Sequence, residues 1–180
     1  MSPLDADEVS RVVARGLRDI PDFPSTGVVF KDITPLLADP DAFATVTRAL
    51  ADSHRGQVDL VAGVEARGFV VGAALAYELG VGFVPVRKAG KLPGETVAVS
   101  YDLEYGSATI EVHADALASG RRVVLVDDVL ATGGTAVAAW DLLEQVGGHV
   151  VGFECVVELA FLGGRARMGD RPVRSLHRVD

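Results

Sequence analysis

The chain has 180 residues, 49% of them hydrophobic, and 17 basic against 25 acidic side chains give a net charge of −8. That length suits one core of ordinary size rather than two independent domains, so a single domain over 1–180 is expected. The acidic balance argues against nucleic acid as a partner, because a phosphate backbone needs gathered cations, and it leaves a small ligand as the expectation. Cys155 is the only cysteine, which excludes an internal disulfide, and its apolar run HVVGFECVVEL marks it as a core thiol. The acidic opening MSPLDADEVSRVV lacks the apolar stretch of a secretory signal, so a cytoplasmic location is expected.

Val9, Val12, Val13, Leu17 and Ile20 follow helical spacing and predict an amphipathic helix stopped by PDFPS. A second helix is predicted after Pro40, with Phe43, Val46 and Leu50 on one side and Gly56 beyond its end. From there VDLVAG, a helix from Phe69, VGFVPV, a polar insert, RRVVLV, a helix over 135–146 and HVVGFECVVEL alternate strand with helix. That alternation predicts an α/β fold with βαβ units and a mainly parallel sheet flanked by helices. The apolar stretch 68–86 approaches the length of a membrane span, but Glu78, Pro85 and several glycines break it, and it is expected to be a buried helix followed by a buried strand. No membrane partner is expected.

The polar insert has its own pattern. Val97, Val99, Tyr101, Leu103 and Tyr105 alternate with Thr96, Ala98, Ser100, Asp102 and Glu104, Gly106 turns the chain, and Ala108, Ile110 and Val112 continue the alternation. An antiparallel hairpin, a flexible flap over 94–113, is expected beside the sheet.

Charged residues gather where strands end. Glu65 and Arg67 follow VDLVAGV, Arg87 and Lys88 follow VGFVPV, and Asp127 and Asp128 follow VVLV. Ligands of open α/β sheets bind outside the carboxyl ends of the strands, so the three pairs are expected to face one cleft. The strongest local signal is DDVLATGGT. Ala131, Thr132, Gly133, Gly134 and Thr135 lie between a buried strand and a helix, offering backbone N–H groups, two hydroxyls and the positive end of a helix dipole to a phosphate. No Gly-Lys-Ser/Thr follows, and no G-x-G-x-x-G occurs, which argues against a Walker loop or a dinucleotide fold. Adjacent carboxylates ahead of the loop suit vicinal hydroxyls beside the phosphate, as in ribose 5-phosphate.

VVLVDDVLATGGT resembles the phosphoribosyl-pyrophosphate (PRPP) signature of the type I phosphoribosyltransferase family. IPDFPSTGVVFKDITPLL, GVEARGF, GFVPVRKAGKLPGET, YDLEYG and VVELAFLGGR extend the likeness along nearly the whole chain. The last three are similar to the adenine-using members rather than the hypoxanthine-guanine or orotate ones. The resemblance implies the type I fold with a flap over the cleft, and a purine-salvage reaction in which adenine and PRPP give AMP and pyrophosphate with Mg²⁺. It implies that Asp127 and Asp128 hold the ribose hydroxyls, and that the segment 131–135 holds the 5′-phosphate. Glu65, Ala66, Arg67 and Gly68, with Arg87, Lys88, Lys91 and Tyr105, would face the pyrophosphate. Glu104 would be the general acid/base, helped by Arg67 and Lys88. Phe30 and Leu159 would sandwich adenine, and the backbone of Val29 and Lys31 would read its edge, which makes 1–37 an N-terminal helix and base-pocket segment.

Two positions depart from the family pattern: Lys31 stands where Arg is usual, and Ala66 where Ser is frequent. His54, His113, His149 and His177 have no metal-like spacing, so no protein metal site is expected and Mg²⁺ would travel on substrate oxygens. The resemblance implies a homodimer, for which the N-terminal helix and the apolar PDFP segment offer surface. Two alternatives stay open: another purine specificity (xanthine, or hypoxanthine and guanine), and a non-catalytic PRPP-sensing regulator.

Overall fold

Val123, Val124, Leu125 and Val126 are all fully buried, a run with no polar face, as befits a strand covered on both sides. The computed structural model describes residues 5–23, 25–102, 106–117 and 120–180. In chain order the elements are α1 (Ala6–Gly16), β1 (Arg18–Pro21), β2 (Val29–Asp32), α2 (Thr34–Ala38), α3 (Pro40–Asp52), β3 (Leu60–Val64), α4 (Arg67–Leu79) and β4 (Gly82–Lys88). Then follow β5 (Thr96–Asp102), β6 (Ser107–His113), β7 (Arg122–Leu130), α5 (Gly134–Gln145), β8 (His149–Leu159), a 3₁₀ turn (Ala160–Leu162), α6 (Gly164–Met168) and β9 (Val173–Val179).

Among the described residues seven strands form the main sheet, in the order β5-β6-β4-β3-β7-β8-β9. β4, β3, β7, β8 and β9 are mutually parallel, and the β5–β6 hairpin joins antiparallel to the end of β4 through Arg87 opposite Glu111 and Lys88 opposite Ile110. The pleat divides the core between the two faces of the sheet. Val123 and Leu125 pack with Ala139, Leu142 and Leu143 of α5, whereas Val124 and Val126 pack with Leu50 of α3 and with Val71 and Leu75 of α4.

The chain leaves β3 for β4 in one direction and β7 for β8 in the other, with α4 and α5 on opposite faces. The carboxyl ends of β3 and β7 therefore border a crevice that no crossover covers. The α/β class, the parallel core and the hairpin agree with the sequence reading, and Val97, Val99 and Tyr101 lie on the core-facing side of β5. No helix among the described residues is long and apolar enough to cross a membrane.

Several elements differ from the sequence reading. The first helix stops at Gly16 instead of running to Ile20, and 18–21 pair with 29–32 as an antiparallel ribbon. A Cβ on Gly16 would sit 2.7 Å from the Cβ of Leu36, so the end of α1 abuts α2. Asp32 then locks the ribbon, accepting from Arg18 (Nη2 at 2.6 Å) and from the Thr34 N–H at 2.9 Å. Those contacts, Thr34 first and then Arg18, hold the Asp32 carboxyl down at about 2. α2 itself was not anticipated. β7 does not end before the aspartates but runs through Asp127 and Asp128 to Leu130, because β8 continues to pair with it as far as Glu158. β9 is a further strand absent from the sequence reading, parallel to β8 at the sheet edge.

Candidate active site

The crevice at the ends of β3 and β7 is a cleft of about 580 Å³. It brings together Val29, Phe30 and Lys31 from β2, Glu65, Ala66 and Arg67 after β3, Lys88 from β4, Asp127 and Asp128 from β7, Ala131 and Thr135 from the following loop and helix, and Leu159 at the end of β8. Tyr101, Val129 and Leu162 also line it.

At one wall the Glu65–Ala66 peptide is cis and leads directly into α4. Glu65 Oε2 accepts the Lys88 N–H at 3.0 Å and Arg87 Nε at 3.3 Å. The Lys88 N–H is the main influence lowering the Glu65 carboxyl, against burial, which raises it. Arg67 on the first turn of α4 donates through Nε to Asp128, and its guanidinium carbon stands 4.8 Å from the centroid of the Phe30 ring. Phe23 meets the same ring edge-on at 5.2 Å. Gly68 lies behind this wall: a Cβ there would come within 2.9 Å of Asp127 Oδ1, so only glycine lets α4 approach β7 so closely.

Asp127 and Asp128 lie on the cleft floor. Asp127 Oδ1 accepts the Asp128 N–H at 2.8 Å. Burial, reinforced by the charge of Asp128, raises the Asp127 carboxyl well above the ordinary carboxylate range. The floor continues into a smaller hollow of about 80 Å³ formed by the segment 129–136, including Thr132, Gly133 and Gly134. Gly133 caps α5 at φ +80° with no side-chain cap, which leaves the first N–H groups of a 12-residue helix without an intrahelical acceptor. Tyr101 of β5 reaches this corner, its hydroxyl 2.9 Å from Thr135 Oγ1.

A model of the phosphoribosyl transferase domain matches residues 32–175. The chain belongs to the phosphoribosyltransferase family. An adenine phosphoribosyltransferase of Thermobifida fusca is 58% identical over 173 residues, 96% of this chain and 98% of that protein. Among solved structures, the adenine phosphoribosyltransferase of Thermoanaerobacter pseudethanolicus matches with a TM-score of 0.91 at 49% identity, covering 97% of this chain and 100% of that one. The Saccharomyces cerevisiae enzyme, solved with an imino-altritol bisphosphate and adenine, matches with a TM-score of 0.90 at 40% identity over 94% of this chain and 99% of that one. As a phosphoribosyltransferase the chain is a pentosyl-transferring enzyme.

Some residues named from the sequence stand apart from the cleft. Arg87 also donates to the Lys91 carbonyl at 3.0 Å, and the Lys91 N–H donates to Glu111 at 2.9 Å, so this pair braces the β4–β5 connection. Lys31, by contrast, lines the cleft, but its ammonium turns to Asp19 of β1, which it bonds at 2.7 and 2.8 Å. Glu104 and Tyr105 lie outside the described residues. The structure adds α6, which the sequence reading passed over. A Cβ on Gly164 would overlap the Ala131 carbonyl, and one on Gly133 would lie 2.7 Å from the Gly164 carbonyl, so α6 packs backbone to backbone beneath the loop. Arg165 fixes α6 by gripping the buried Glu158 at 2.9 and 2.5 Å. The paired glycines in LGGR were the available signal.

Proposed function

We infer that this protein transfers the 5-phosphoribosyl group of PRPP to adenine, forming AMP and pyrophosphate in purine salvage. The observation that carries the reading is one cleft joining an aromatic platform at Phe30, the cation Arg67, the Asp127–Asp128 floor and the loop at the start of α5. Base, pyrophosphate, ribose and 5′-phosphate each have a chemically matched wall in it. That the yeast relative was solved with adenine and a bisphosphate supports a base and a phosphorylated ligand as the two substrates.

The roles we propose follow from the chemistry. The N–H groups of 131–135 and the Thr132 and Thr135 hydroxyls bind the 5′-phosphate at the positive end of α5. Asp127 and Asp128 accept from the ribose hydroxyls. As the bond from C1′ to the pyrophosphate oxygen breaks and adenine N9 closes on C1′, charge grows on the departing oxygens, and Arg67 and Lys88 neutralise it beside the 65–68 turn. Arg87 and Lys91 add to the positive field of that wall. Glu104, by family likeness, takes the N9 proton, with Tyr105 in the same segment. Phe30 and Leu159 stack the purine. Among the described residues β2 pairs only with β1, and Val29 and Lys31, two residues apart, turn their backbone groups the same way.

Mg²⁺ suits the oxygen-rich cleft, but Glu65 and Asp128 are already engaged by Arg87, Lys88 and Arg67, so PRPP oxygens and water are the ligands we assign to it. The ion offsets phosphate charge when bound. Exposed Phe23 and Tyr77 support a homodimer, which sedimentation velocity checks by a mass near twice 18.8 kDa, a monomeric mass contradicting it. The functional test follows nucleotide formation from PRPP with adenine, hypoxanthine, guanine and xanthine in turn. Adenine is expected to be preferred by at least about a hundredfold in kcat/KM, because a 6-oxopurine reverses donor and acceptor at one edge position. A better rate with a 6-oxopurine overturns the base assignment, and binding of PRPP without any turnover favours a sensor.

A further inference from the structure

We propose that Tyr101 is a positioning residue for the 5′-phosphate, acting through the hydroxyl of Thr135. The proposal rests on the reading of the 131–135 loop as the phosphate site. Tyr101 lies on the core-facing side of β5, its ring against Val-rich packing, and its hydroxyl meets Thr135 Oγ1 at 2.9 Å. Thr135 is the second residue of α5 and lines the cleft together with Tyr101. Each hydroxyl carries one proton, so with nothing else at hand either can donate to the other. A phosphate only accepts. Once it is bound, Thr135 must spend its proton on the phosphate, and the contact survives only with Tyr101 donating to Thr135 Oγ1.

The result is a chain from Tyr101 to Thr135 to phosphate, in which each bond polarises the next and the Thr135 rotor is held toward its ligand. A ligand with a 5′-hydroxyl in place of the phosphate imposes no such direction. Tyr101 therefore strengthens binding of 5′-phosphorylated ligands specifically, without itself touching them, and it ties β5 of the hairpin to the phosphate corner.

The test compares wild type with Tyr101→Phe, Thr135→Val, Thr135→Ser and the Tyr101→Phe/Thr135→Val pair, reading the KM for PRPP, the KM for adenine, and the Kd for AMP and for adenosine. Tyr101→Phe should raise the KM for PRPP and the Kd for AMP by about 3- to 10-fold, the range of one hydrogen bond. The KM for adenine and the Kd for adenosine should stay within about twofold. Thr135→Val should abolish the effect of Tyr101→Phe, and Thr135→Ser, which keeps the hydroxyl, should preserve it. Multiplying effects in the pair, or wild-type values for Tyr101→Phe in an active enzyme, overturn the Tyr101 assignment alone. Wild-type protein that neither forms AMP nor binds it overturns the functional reading and this one with it.

Discussion

Arg67 and Asp128 are bonded to each other in the cleft, a contact that joins the turn after β3 to the far end of β7. The same guanidinium covers the Phe30 ring. One side chain thus occupies the meeting point of three walls that the proposed substrates would share. A pyrophosphate arriving there exchanges one carboxylate partner for several phosphate oxygens, drawing Arg67 off both Asp128 and the aromatic face.

Replacing Arg67 by Ala should lower kcat/KM for PRPP by roughly a hundredfold, the scale of losing one preorganised charge at a leaving group. Arg67→Lys should recover part of it, since charge returns without the planar fork. Thermal unfolding should move by only a few degrees, because Arg67 is about one-third exposed at 36%. Steady-state kinetics beside a melting curve checks both statements. A large fall in Tm with unchanged kinetics per folded molecule would assign Arg67 a structural role instead.

Asp127 sets stability against function. Its carboxyl is raised in the folded protein by burial and by Asp128, so the native state holds that proton more tightly than the unfolded chain. The stabilisation is full below the unfolded value near 3.8 and is lost as pH rises through the folded one. Asp127→Asn, which stays neutral and can still accept the Asp128 N–H, should therefore be more stable than wild type at pH 7 and close to it near pH 3. Its kcat/KM for PRPP should nevertheless fall by about tenfold or more, because the amide presents an NH₂ donor where the carboxyl offered a second oxygen to a ribose hydroxyl. Chemical denaturation at the two pH values settles the sign.

Gly164→Ala tests the support beneath the phosphate loop. The added methyl overlaps the Ala131 carbonyl, and backbone on both sides leaves no flexible side chain to yield. A cost of about 1–3 kcal/mol is expected for such overpacking. If it is taken up by displacing the loop, the KM for PRPP should rise at least about tenfold while the KM for adenine changes little. Equal losses for both substrates would place the damage in the fold rather than at the loop.

Much of this architecture could be read from residues. The unbroken Val123–Val126 run, the alternation from Thr96 to Asp102 and the glycines at 133 and 134 each carry a local signature that their elements obey. What escaped depends on distant partners. Ile20 continues the helical spacing of Val9 and Val13, and only the contact of Gly16 with Leu36 and the Arg18–Asp32 pair turn 18–21 into a strand. β9 has just Val173, Leu176 and Val179 to announce it, and it is recruited by the edge of β8. Asp127 and Asp128 do not look like strand residues; β8 holds them in one. In the site, the grouping of the charged strand ends was legible, whereas the Arg67–Phe30 stacking and the packing of α6 under the loop come from close approaches that no spacing encodes.

The most direct measurement is the stoichiometry of products from purified protein given adenine, PRPP and Mg²⁺, with Asp128→Ala run in parallel. The cleft described above predicts AMP and pyrophosphate formed one for one by wild type, and a kcat/KM lowered by roughly tenfold or more in the variant while its fold is kept. No AMP from adenine, or an Asp128→Ala protein as active as wild type, would contradict it.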